Sequence, residues 1–262
     1  MSMKAFPLAW HNTRRYEDHT IMIGTFHLGC GYLKVLGKKM GETGFAEILL
    51  EVGLTTSGTL MGVILAKNYA CSLNCHKALM EALERLVLAC FLQDRDEEVP
   101  FGKLPKSSRD YIERLAMSLS KEIENAALND QEICSYIEEY LHFRENIRSG
   151  QHGKTAALWM PYIDHVWLTM YLLQAVKTNN FTVYAQCLCL MPDPFFGFKG
   201  HNYARCLTFF SMFIANIEHS HPGAEDLLKR GAISVARFFI LGNRCAVEKT
   251  IEETFMKHAK SK

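Results

Sequence analysis

The chain has 262 residues, 48% of them hydrophobic and 22% charged, with 29 Lys and Arg against 28 Asp and Glu. That length and apolar share suffice for one large core or two modest ones and exclude a disordered or low-complexity chain. A formal charge of +1 excludes recruitment of nucleic acid or anionic membrane by a global field, so any such affinity must come from a local patch.

Nine cysteines have no repeating spacing, and Cys90, Cys187, Cys189 and Cys206 lie in apolar stretches, where a free thiol packs like a small hydrophobe. Their odd number predicts a reducing compartment, hence an intracellular protein of nucleus or cytoplasm. Met1–Pro7 has no apolar signal region and no stretch is long and apolar enough to span a bilayer, so no membrane partner is expected.

In chain order, residues 1–20 are polar and without period and read as an irregular lead-in to a single helical domain over 21–262. Thr20–Ile23 predicts a short strand. Phe26, His27, Leu28, Tyr32, Leu33, Leu36 and Met40 predict a helix despite Gly29 and Gly31. Glu47–Leu50 gives a brief helix ending near Gly53, and Leu60–Leu65 another. Leu79, Met80, Leu83, Leu86, Val87, Cys90 and Phe91 form one predicted apolar face, opposite a Glu81–Arg85 pair at i,i+4.

An acidic run with two prolines over 94–105 marks a candidate subdomain boundary. Ser107 and Asp110 then open a predicted helix carrying Ile112, Leu115, Leu119 and Ile123, followed after Asn129–Asp130 by a second with Ile133, Ile137, Tyr140, Leu141 and Ile147. The helix from about Ala156 to Val176 is apolar nearly all round and is expected at the centre of the molecule. Helices over Phe181–Met191 and Tyr203–Ile217, a short one with Leu227 and Leu228, a strand over Ile233–Ile240 and a charged helix over Cys245–Ala259 complete the chain. The expected fold is mainly α: a multi-helix globular bundle with at most two to four short strands.

Cys71, Cys75 and His76 have no second ligand pair at zinc spacing, so they read as core or boundary residues and no metal site is expected. Asp164 and His165 are ionisable groups in the most apolar helix and so candidates for acid/base work. Adjacent positions diverge by about 100° around a helix, so the two are expected to bond to different partners. His142, Arg144, Arg148, His152 and Lys154 form a local basic cluster at a glycine-containing turn; Arg144, Arg148 and Lys154 are the candidate phosphate contacts. Dinucleotide, P-loop, nucleophile-elbow and HExxH motifs are absent.

Four segments carry a resemblance: Gly24-Thr25-Phe26-His27-Leu28; Ala66-Lys67-Asn68-Tyr69 running to Cys75-His76-Lys77; Gly200-His201-Asn202-Tyr203-Ala204-Arg205; and the tail from Ala246 to Lys260. Together and in this order they resemble an animal domain family with a transposon-like distribution of many dispersed copies, itself similar to transposase-derived proteins. His201, Asn202, Tyr203 and Arg205 are its motif residues. The resemblance implies the second part of an RNase H-like core interrupted by helices. In such a core, carboxylates hold Mg²⁺ or Mn²⁺ and activate water against a phosphodiester. The late acid would be Glu248, Glu252 or Glu253, with Asp164 and His27 as further candidates.

The chain departs from that pattern. Before His27 the only acids are Glu17 and Asp18, Ala66 stands where the pattern has glycine, and Cys71 where it has a basic residue. The expected function is therefore a non-catalytic, transposon-derived helical domain, without cofactor, that binds nucleic acid or protein. The alternative is a metal-dependent nuclease or transposase-like fragment acting on DNA phosphodiesters with Mg²⁺ or Mn²⁺.

Overall fold

A computed structural model describes residues 15, 22–95, 131–197, 200–236 and 244–251. The helices are α1 Thr25–Met40, α2 Phe45–Glu51, α3 Ser57–Ile64, α4 Tyr69–Asp94, α5 Gln131–Arg148, α6 Lys154–Thr178, α7 Phe181–Leu190, α8 Pro192–Gly197, α9 His201–Ala215, α10 Ile217–Ser220, α11 Ala224–Leu227 and α12 Val247–Ile251. Strands β1 Ser234–Ala236 and β2 Arg244–Ala246 pair antiparallel, with Val235 opposite Cys245. The fold is mainly α, and among the described residues these are its two strands. No helix among them is long and apolar enough to cross a membrane.

The chain divides into two units, Met1–Lys77 with His165–Lys262, and Ala78–Asp164. In the first, α1 is the organising element. Leu28, Tyr32, Leu33, Leu36 and Met40 recur at helical spacing and are fully enclosed. Gly37 lets α3 cross at backbone distance, since a Cβ there would lie 2.4 Å from the Ile64 carbonyl oxygen. The Ser72 hydroxyl donates to the Val63 carbonyl at 2.9 Å and ties α4 to α3. The buried Tyr184 hydroxyl of α7 donates to the Ile23 carbonyl at 3.2 Å and pins the approach to α1. Helices α8 and α12 pack on α1, and α7 and α8 pack on α9.

In the second unit, Phe91 of α4 meets the rings of Tyr136, Tyr140 and Phe143 of α5 at 5.3–5.5 Å. Gly150 and Gly153, with φ of 92° and 97°, supply the left-handed turns between α5 and α6. Trp159, Met160, Tyr162 and Ile163 of α6 are buried.

Four expectations are corrected. The buried stripe of α4 is rotated from the predicted one: Leu86 and Cys90 are exposed, while Ser72, His76 and Leu92 are fully buried. Side-chain type misleads here because Glu84 and His76, both polar, are drawn inward by an arginine and a phenylalanine ring described below. Helix α6 is not enclosed on all sides, since Leu158, Trp167 and Tyr171 are exposed; an apolar helix in a two-unit fold can leave one face to solvent. Residues 22–23, the described part of the expected Thr20–Ile23 strand, are not strand. Arg244–Ala246 is strand rather than helix start, because it pairs with Ser234–Ala236 before α12 begins. The 96–105 part of the proposed boundary, the Ser107–Ala126 helix and the tail beyond 251 lie outside the described residues.

Candidate functional site: four helix starts brought together

Each of the four segments singled out in the sequence opens a helix. Gly24–Leu28 begins α1, Asn68–Tyr69 begins α4, Gly200–Arg205 begins α9, and Ala246 precedes α12. All four belong to the first unit. Tyr203 donates its hydroxyl proton to the His27 carbonyl at 3.4 Å, joining α9 to α1. Phe26 and Tyr69 meet edge-on at 5.1 Å, joining α1 to α4. The Lys249 ammonium lies 5.7 Å from the centre of the Phe26 ring, joining α12 to α1.

One glycine favours this approach. A Cβ at Gly31 would lie 3.0 Å from the Tyr203 ring, whereas one at Gly29 would make only ordinary contact with the Tyr69 hydroxyl, at 3.5 Å. Cys30, between them, is near both tyrosines. Burial raises the pKa of Tyr69, with smaller contributions from Cys30 and Cys245. Burial also raises Tyr203, with Cys30 and Cys206 adding to the effect. Both phenols therefore stay protonated at neutral pH as hydrogen-bond donors.

On the segments that open α1, α4 and α9 the exposed residues are basic or neutral. His27, Lys67, Asn68, His201, Asn202 and Arg205 are exposed, and Arg205 donates to the Asn202 side-chain oxygen at 3.0 Å. Segments 24–30, 66–71 and 200–206 contain no acidic residue. Helix starts carry partial positive charge from their unpaired N–H groups. Neither Gly24 nor Gly200 supplies a side-chain cap to its helix. Tyr203 stacks on Phe195 at 5.0 Å, and Phe195 packs on Tyr32, whose hydroxyl bonds to His165 Nδ1 at 3.0 Å. His165 is thus part of the packing beneath the site, through a bond to α1.

The basic cluster read from the sequence has a different environment, in the second unit. Arg144 donates from Nη1 to both carboxylate oxygens of Glu84, at 2.6 and 2.7 Å, and from Nη2 to Asp164 at 2.7 Å. Arg148 pairs with the other Asp164 oxygen and with Glu145. Tyr140 donates to Glu84 at 3.0 Å. Burial works against the Arg144 charge, but Glu84 and Tyr140 outweigh it and hold the guanidinium above its ordinary pKa. Lys154 is exposed at the first position of α6. Within this cluster two arginines face three carboxylates, two of them from helices other than α5. Spacing along α5 carries no sign of that.

Asp164 and His165 bond to different partners, as just described. The side chains of Glu248, Glu252 and Glu253, and Asp18, lie outside the described residues. His27 is in the four-helix cluster of the first unit, and Asp164 belongs to the second. Among the described residues no three His, Cys, Asp or Glu side chains are grouped to hold a metal ion. Cys75 and His76 are buried: the His76 ring stacks on Phe45 at 4.9 Å, and burial lowers its pKa to about 4. Burial, together with Cys71, raises the Cys75 thiol to about 11. Val52, just after α2, and Met61, within α3, are among the exposed large apolar side chains.

The protein is mainly α, and its candidate site is a cluster of helix starts bearing cations and rings. The chain belongs to a family described as a domain of unknown function (DUF8702), whose model matches residues 1–262. No curated protein and no solved structure matches it.

Proposed function

We propose that this protein is a non-catalytic, transposon-derived helical module that binds nucleic acid through the junction of α1, α4, α9 and α12. The observation that carries the reading is the meeting of the four motif segments, as helix starts, through the Tyr203–His27, Phe26–Tyr69 and Lys249–Phe26 contacts. Helix N-termini with Lys, Arg and His beside them favour phosphate oxygens, and aromatic rings among cations suit nucleic acid. The transposon origin rests on the order of those segments in the sequence. Arg144 and Arg148 suit the role less, because Glu84, Asp164 and Glu145 neutralise them.

Fluorescence anisotropy with labelled single- and double-stranded DNA tests the reading. Affinity is expected at low salt and should fall steeply as salt rises; absence of binding at low salt removes nucleic acid as the partner. The same samples, incubated with Mg²⁺ or Mn²⁺, should leave the DNA intact. Specific cleavage that Glu248→Gln abolishes would instead establish the nuclease reading.

A further inference from the structure

Arg244, the first residue of β2, is half-buried and held along one edge. Its Nε donates to the Ser234 hydroxyl at 2.7 Å and its Nη2 to the Ser234 carbonyl at 2.9 Å. A guanidinium carries five N–H donors in a planar fork, and these two bonds occupy its side-on edge. The end-on edge, formed by Nη1 and the other N–H of Nη2, meets no acceptor among the described residues. The fork is also fixed from behind. Ser234, 4% exposed, donates its hydroxyl proton to the Asn179 side-chain oxygen at 3.1 Å, and Asn179 donates to the Lys229 carbonyl at 3.4 Å. Leu228–Ala232 is a single π-helical turn, a form frequent at functional sites. Within it Gly231 has φ of 151°, and a Cβ there would lie 3.3 Å from Arg244 Nη2, so backbone and space both call for glycine.

Charge around this turn is unbalanced. Residues 229–247 contain no Asp or Glu, against Lys229, Arg230, Arg237 and Arg244. Glu225 matches Lys229 at 2.7 Å, but among the described residues Arg244 bonds only to neutral groups. An arginine that merely stapled the β1–β2 hairpin would need its side-on edge alone. Here the opposite edge is held in place without the counter-charge that Glu84 and Asp164 give Arg144.

We propose that the Arg244 guanidinium takes a phosphate group on its Nη1–Nη2 edge, with Ser234 and Asn179 as positioning residues. Two parallel N–H···O bonds match a pair of phosphate oxygens, and the excess positive charge of residues 229–247 favours a phosphate over a single carboxylate. The site goes beyond the junction reading. A phosphodiester of a bound strand is one source of the group, and inorganic phosphate or a phosphorylated small molecule is the other.

Calorimetric titration of the full chain with inorganic phosphate at low salt tests the site. Wild type should bind, and Arg244→Lys roughly tenfold more weakly while melting cooperatively, since lysine keeps the charge but loses the fork. A second measurement needs no variant. Phenylglyoxal, which modifies accessible guanidinium groups, should label Arg244 of the wild-type protein, and phosphate should protect it while leaving Arg85, exposed on α4, unprotected. No phosphate binding by wild type, equal binding by a folded Arg244→Lys, or labelling of Arg244 that phosphate leaves unchanged overturns the site. A short oligothymidylate then separates the sources. If it displaces phosphate and protects Arg244, the group is a phosphodiester; if phosphate protects Arg244 and the oligonucleotide does not bind, the site is one for free phosphate or a phosphorylated small molecule and the nucleic-acid reading falls. If the oligonucleotide binds but phosphate does not, the nucleic-acid reading survives without this site.

Discussion

The two basic clusters, one in each unit, have different surroundings. In the Ala78–Asp164 unit, Arg144 and Arg148 are matched to Glu84, Asp164 and Glu145 by charge-assisted bonds, and the Arg144 side chain is only 11% exposed. At the junction in the other unit, His27, Lys67 and Arg205 sit exposed on three segments without a carboxylate, the fourth, from Ala246, carrying Glu248 beside Lys249. A basic cluster in a sequence is therefore not yet a basic surface. What decides is whether other helices bring acids to it, and α4 and α6 do so in one unit.

That contrast can be broken in four ways. The largest effect is expected from Arg144→Ala, which leaves the Glu84 carboxylate, 18% exposed, without its guanidinium. A loss of about 3 kcal/mol in urea unfolding is expected, below the upper values for fully buried pairs because Asp164 is partly solvated. A loss under about 0.5 kcal/mol would show that the network is not structural.

Next comes acid. The buried His76 has a folded pKa of about 4 against an ordinary 6.5. The unfolded chain therefore takes up the proton first, and stability falls as pH drops through the window between 6.5 and 4. Between pH 7 and pH 5 the loss from this group is about 2 kcal/mol. His76→Phe should flatten that part of a melting-temperature profile, and an unchanged slope would assign the acid sensitivity elsewhere.

Neutralising His27, Arg205 and Lys249 together to alanine should lower oligonucleotide affinity by roughly tenfold at low salt, while changing stability by no more than about 1 kcal/mol. Unchanged binding would move the interface away from the junction. The smallest effect belongs to Arg148→Ala: within about 1 kcal/mol in stability, because the pair is solvent-exposed, and no change in nucleic-acid affinity. If Arg148→Ala weakens binding more than the triple substitution does, the roles of the two units are reversed.

Much of the helical layout was legible. The spacing of Tyr32, Leu33, Leu36 and Met40 predicts α1, and Ile137, Tyr140 and Ile147 predict α5, because repeated burial of one face leaves a period in the residues themselves. The stripe of α4 was less so, since an inward Glu84 is stable only when Arg144 arrives from another helix. Strand β2 could not be read for a related reason: three residues become strand through a partner ten positions away. At the candidate site, Phe26, His27, Tyr69, Tyr203 and Lys249 all lie in segments quoted for the resemblance.

By itself the sequence determined most of the longer helices and which segments were distinctive, because helix periodicity and Gly, Pro and Asn punctuation act over a few residues. Only the tertiary structure decided that four distant helix starts meet while the arginines of α5 are claimed by acids. Proximity and charge neutralisation are properties of pairs, and for these pairs the partners lie up to more than a hundred residues apart, as Tyr203 and His27 do.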